Sequence, residues 1–207
     1  MSATETEPLV GWRLWKVREG GLRSWAVEYV WEPGENKAVC LANRLTRCSE
    51  APGRSCRCGF WALYSPLAAI RLASAVPAAG AVIGLVTVFG TIAVHGGEGF
   101  RAEMAKVSCL FTDEIALVPI ERLWRSLRRR FHRAADAGLN DQIPSRICAL
   151  KPVASRYEVP LVSLQSAVSL GLLGELGVKQ DAIAELEKWL KPSRTTRHGP
   201  GRIGLTR

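Results

Sequence analysis

The chain has 207 residues, 47% of them hydrophobic and 23% charged. That composition excludes a wholly disordered or fibrous chain and suits one domain of ordinary size with appendages. A formal net charge of +9 points to polyanionic partners, namely nucleic acid, an acidic membrane surface or an acidic protein.

The opening MSATETEPLV carries two Glu and no apolar run, unlike a secretory signal. We read residues 1–10 as a disordered leader and expect a cytoplasmic, reducing location. GWRLWKV at 11–17 and LRSWAVEYVW at 22–31 flank Glu19-Gly20-Gly21, which predicts a hairpin. Its second run alternates so that Trp25, Val27, Tyr29 and Trp31 share one face. Glu32 to Asn36, with Pro33-Gly34, is a turn, and Gly59 to Tyr64 is a strand. Ser65-Pro66 starts a short buried helix, with Ser65 as cap and Pro66 at the first helical position.

From Leu72 to His95 twenty-four residues pass without Asp, Glu, Lys or Arg, long enough to cross a bilayer. Pro77, Gly80, Gly84 and Gly90 interrupt the run, and its second half is rich in Val, Ile and Thr. A helix followed by a buried strand over 81–94 explains it better, with Gly84 and Gly90 as bulges or points of close approach. His95 to Gly99 turns the chain back into one or two strands between Phe100 and Ile120. Residues 121–138 read as an inserted basic helix: 121–133 hold six Arg, and Ile120, Trp124, Leu127 and Phe131 fall on one face. Residues 141–158 suggest a helix perturbed by Pro152, and 159–162 a short closing strand. Residues 163–190 form a helical extension, with Asp181 as a cap and Ile183, Leu186 and Leu190 on one face. Residues 191–207 are a disordered basic tail.

Four of the six cysteines, Cys40, Cys48, Cys56 and Cys58, lie within nineteen residues, with seven residues between each of the first three. A polar, Arg-rich loop that concentrates thiols suits one tetrahedral zinc held by four thiolates. Cys56 and Cys58 sit two apart, so in an extended chain both sulfurs share a face. Arg44, Arg47, Arg54 and Arg57 would offset the excess negative charge of such a centre and favour thiolates near neutral pH. The same spacing leaves open reduced thiols without metal, redox-active thiols or an iron–sulfur site. Cys109 and Cys148 read as small buried hydrophobes.

Two segments carry a resemblance. GWRLWKV, LRSW, VWEPGENKAVC and EAPGRSCRCGFWA form the first, and VIGLVTVFGTIAVHGGEGFRAEMA, with its H-x-x-x-G-F-R-A-E pattern, the second. With SRYEVPLV as a closing segment, residues 11–162 resemble a group of uncharacterised small bacterial and phage proteins. The resemblance implies a domain without a membrane span. A position like Cys48 is held there by His, and exchanging one zinc ligand type for another is compatible with metal binding.

Beyond the cysteines, His95, Arg101 and Glu103 are a polar cluster set against an apolar strand. They could line a pocket for a small molecule or a reaction, or form a rim ion pair and a turn histidine. Nothing nearby completes a nucleophile–base set, and phosphate-loop, serine-hydrolase, kinase and zinc-protease signatures are absent. Arg122, Arg125, Arg128, Arg129, Arg130 and Arg133 could lie along a phosphate backbone, dock a partner protein or an anionic membrane surface, or form a plain solvated face. The expectation is an α+β fold, a β-rich body with a Cys-loop metal site followed by C-terminal helices. Its expected function is that of a non-catalytic zinc-stabilised binding module for nucleic acid or another polyanion. The alternatives are an adaptor or regulatory protein docking a protein partner, and a small-molecule binder or enzyme around His95, Arg101 and Glu103.

Overall fold

A computed structural model describes residues 8–42, 47–53, 56–75, 81–113 and 142–191. It is α+β: strands β1 (Leu9–Arg18), β2 (Gly21–Ser24), β3 (Val30–Trp31), β4 (Glu35–Lys37) and β5 (Phe60–Leu63) precede helix α1 (Pro66–Ala75). The long strands β6 (Ala81–His95) and β7 (Gly99–Phe111) follow, then α2 (Gln142–Arg156), β8 (Leu161–Val162), α3 (Leu164–Ser169), α4 (Leu172–Glu175) and α5 (Gln180–Leu190). The expected helix over 121–138, its six Arg, the segment 114–120 and the tail beyond 191 lie outside the described residues.

The sheet closes on itself. β1 pairs antiparallel with β6 from Leu9↔Val88 to Lys16↔Ala81, and β6 pairs along its length with β7. β5 then pairs with β7 from Phe60↔Ala102 to Leu63↔Gly99 and returns to β1 at Trp12↔Leu63. A ring of four antiparallel strands is a small barrel, which removes free edges from its central members. β2 extends β1, β4 pairs with β7 at Asn36↔Ala105, and β8 runs parallel to β7 at Leu110↔Leu161.

β6 can bend round this ring because its register shifts twice, between Leu85 and Val86 and between Phe89 and Ile92. Gly84 is required by contact, since a Cβ there would lie 2.1 Å from the Cys109 carbonyl oxygen. Gly90 sits in the second bulge at φ +75°, a conformation glycine adopts without steric cost. Both glycines therefore act as the sequence suggests.

The central strands are buried on both faces, which explains why 81–88 lacks any polar alternation. One face carries Trp15, Trp31, Phe60, Val82, Val86 and Phe100, closed by Leu150 and Val153 of α2. The other carries Trp12, Leu14, Ile83, Leu85 and Phe111, covered by α1, α3, α4 and α5 through Ile70, Leu164, Leu173 and Leu186. Ser65 caps α1 as expected, accepting from the Ala68 amide at 3.1 Å. Among the described residues no helix is long and apolar enough to cross a membrane; the charge-free run from Leu72 to His95 is divided between α1 and β6.

Three expectations are corrected: Cys148, expected to be buried, is exposed, and two concern secondary structure. The run 22–31 is a second hairpin, with Leu22 opposite Trp31 and the Ser24 amide bonded to the Tyr29 carbonyl at 2.9 Å. Trp31 is consequently fully buried while Val27 is 48% exposed, so the four residues do not share a face. Local turn bonds across 24–29 outcompete the alternation. Asp181 lies in the first turn of α5 rather than at its cap position, which Lys179 occupies, and its Oδ1 accepts from the Ala182 amide at 2.8 Å.

Candidate metal centre

The loop between β4 and β5 brings all four expected cysteines together. The Sγ atoms of Cys40, Cys48, Cys56 and Cys58 lie within 4.8 Å of one another. Cys40 and Cys56 are 3.7 Å apart, and Cys58 and Cys48 3.9 Å. A tetrahedron of sulfurs at a zinc–sulfur distance of about 2.3 Å has edges of about 3.8 Å, so these separations fit one ion. All six cysteines are free thiols, with Cys40 buried and the other three of the cluster partly so. The group can therefore hold a metal.

Local structure explains how a chain of this sequence reaches that geometry. Asn36, 3% exposed, closes the Pro33-Gly34 turn by accepting from the Glu32 amide and donating to the Glu32 carbonyl, both at 2.9 Å. That turn delivers β4 to β7, and the Ala38 amide bonds the Glu103 carbonyl at 2.7 Å, anchoring the chain two residues before Cys40. On the other side of the cluster the Gly53 amide donates to Cys58 Sγ at 3.2 Å. Such an N–H···S bond stabilises a thiolate.

The thiols repel shared negative charge. Hydrogen bonds from the backbone of Cys48 and then Ala42 bring the Cys40 thiol down to about 7. Its bonding to Cys56, followed by desolvation, pushes Cys48 up to about 12, and burial raises Cys58. A cation held among the four sulfurs would favour their thiolate forms by displacing protons.

The second expected cluster joins this one in part. Arg101, 3% exposed, donates Nη1 to the carbonyls of Cys56 and of Cys58, the latter at 2.9 Å. Its Nε donates to His95 Nε2 at 2.5 Å. Glu103 turns away, accepting from the Thr91 amide at 3.3 Å and facing Lys37 at 3.4 Å. Those contacts, the Thr91 bond first, hold its carboxyl below the usual range.

Sequence reading missed three participants. Trp61 stacks on His95 at 4.6 Å and 28° and donates Nε1 to the Arg57 carbonyl at 3.0 Å. Gly53 fits beside Cys48 only without a side chain, for which the Pro52-Gly53 pair was the available signal. Arg13 bonds the Trp61 carbonyl and, at 3.0 Å, Ser24 Oγ; nothing in its sequence context marks it. Arg47 and Arg57 are exposed, and Arg44 and Arg54 lie outside the described residues.

A scan against protein-family models and searches of curated proteins and of solved structures found no match to this chain.

Proposed function

We propose that the protein is a non-catalytic binding module in which Cys40, Cys48, Cys56 and Cys58 hold one structural zinc ion. The reading is carried by the near-tetrahedral clustering of the four sulfurs. Thiolate softness suits zinc, and a four-thiolate shell leaves no open coordination position for water, which is the arrangement of structural sites. A cytoplasmic, reducing location would keep the thiols available.

Nucleic acid is the partner this reading favours, engaged through Arg122, Arg125, Arg128, Arg129, Arg130 and Arg133. Charge distribution supports it. Residues 121–133 hold six Arg against Glu121 alone, and 191–207 hold five Lys and Arg with no acid. Together they exceed the whole-chain charge of +9, leaving the remainder close to neutral. The cation excess is thus segregated into two stretches, as expected for contacts to a phosphate backbone.

Two measurements test this. Elemental analysis of protein purified under reducing conditions is expected to give about one zinc per chain, lost in Cys56→Ser and Cys58→Ser; metal-free protein with four freely titrating thiols would sink the metal reading. Oligonucleotide affinity is expected to fall linearly with the logarithm of salt concentration and to collapse in Arg128→Glu plus Arg129→Glu. Indifference to both would turn the basic stretch over to an acidic protein partner.

A further inference from the structure

Arg101 presents an unbalanced charge. It is 3% exposed, and among the described residues no carboxylate lies within ion-pair distance of it. A buried guanidinium without a counter-charge is costly. Its acceptors here are two backbone carbonyls and Nε2 of His95.

The carbonyls belong to the ligand pair itself. Cys56 and Cys58 carbonyls both accept from Arg101 Nη1, and the Arg57 carbonyl between them accepts from Trp61 Nε1. Every backbone oxygen of the C-R-C unit is therefore held by a side chain from β5 or β7. The two holders brace each other: the Arg101 guanidinium lies 5.5 Å from the Trp61 ring, and the His95 ring that receives Arg101 Nε is stacked on that same indole. Four thiolates around a divalent ion carry an excess of about two negative charges, which is the counter-charge the guanidinium lacks.

We propose that Arg101 is the positioning residue and buried counter-charge of the metal centre. It fixes the backbone from which the Cys56 and Cys58 sulfurs project and offsets the negative charge of the thiolate shell. The assignment rests on the metal reading above and goes beyond it by naming what couples the ion to the barrel.

Cobalt(II) titration of the full reduced chain under anaerobic conditions tests it, reading the thiolate-to-cobalt charge-transfer and tetrahedral d–d bands. Wild type is compared with Arg101→Gln, Arg101→Lys and Leu186→Ala, the last a fully buried residue of the helical face that serves as a stability control. Arg101→Gln is expected to weaken cobalt by about 10–100-fold, the range for groups that support metal ligands. Arg101→Lys should fall between, because an ammonium keeps the charge without the fork. Leu186→Ala should lower the melting temperature and bind cobalt as wild type does.

Wild-type affinity in both Arg101 variants would overturn the proposal while leaving the metal reading intact. Equal weakening in Leu186→Ala would overturn it too, by reducing the effect to general stability. If Arg101→Gln does not fold, Arg101→Lys decides: wild-type affinity and band shape overturn the assignment, and weakened binding with altered bands upholds it. A wild type without a tetrathiolate spectrum removes the metal centre and the role of Arg101 with it.

Discussion

At Gly53 an added Cβ would sit 2.3 Å from Cys48 Sγ and 3.0 Å from Cys48 Cβ, closer than any real contact. Gly53→Ala must therefore displace Cys48, one of the four clustered thiols. We expect it to weaken zinc or cobalt by about 10–100-fold while leaving the barrel's thermal transition in the metal-free state unchanged. Titration and calorimetry on the same samples check this, and unaltered affinity would mean the loop has other room. Arg13, half-buried, and Arg101, buried, show how differently one residue type is accommodated. Arg13 places its guanidinium 4.8 Å from the centroid of the Trp31 ring and remains charged at neutral pH even though burial brings it down to about 10. Arg101 has one such ring at 5.5 Å and spends its donors on the C-x-C backbone. The four clustered cysteines were legible because cysteine is rare and its spacing is chemical information. Their supports were not, since Arg101, Trp61 and Gly53 act through backbone carbonyls and empty space, which leave no pattern in sequence.

At the scale of elements, a hydroxyl just past the end of α2 adds a polar tie to the barrel beside the apolar packing of Leu150, Val153 and Ala154. Tyr157 Oη accepts from the Leu22 amide at 2.9 Å and donates to the Trp31 carbonyl at 2.5 Å, bridging the paired residues Leu22 and Trp31 of β2 and β3. Tyr157→Phe leaves both buried groups unpaired and should cost about 2 kcal/mol. Urea unfolding is expected to show a lower midpoint at an unchanged m-value; a loss under about 0.5 kcal/mol would mean water takes over both bonds. This tether spans 135 residues of sequence, which is why no local reading anticipates it. Elements set by local chemistry were legible: the Ser65-Pro66 start of α1, the Glu19-Gly20 turn with both residues at positive φ, and the bulged β6. α2 runs unbroken through Pro152, held by the packing of Leu150, Val153 and Ala154 against the barrel. The run 22–31 was misread because alternation reports which residues suit a strand, whereas the turn bonds at 24–29 decide how many strands there are.

For the whole molecule the question is what a metal held by the four cysteines would stabilise. The barrel ladder and its two apolar faces are assembled from β1, β5, β6, β7 and the helices. Among the described residues the cysteine loop joins them through the Ala38 bond to β7, Ala51 and Cys58 against the first apolar face, the Arg101 bonds and the Trp61 bond to the Arg57 carbonyl. Closure of the ring through Trp12↔Leu63 was invisible in the sequence, since a single pairing between residues fifty-one apart has no periodicity. Because that closure does not pass through the loop, metal removal should release the loop and spare the barrel. With a chelator under reducing conditions, amide exchange is expected to accelerate across residues 38–59 while β1, β6 and the central part of β7 stay protected. Near-ultraviolet dichroism should retain the signals of Trp12, Trp15 and Trp31, all within 1% of full burial, and change only through Trp61. Collapse of protection throughout β6 on chelation would show instead that folding of the barrel and binding of the ion are one transition, as in small zinc-dependent domains.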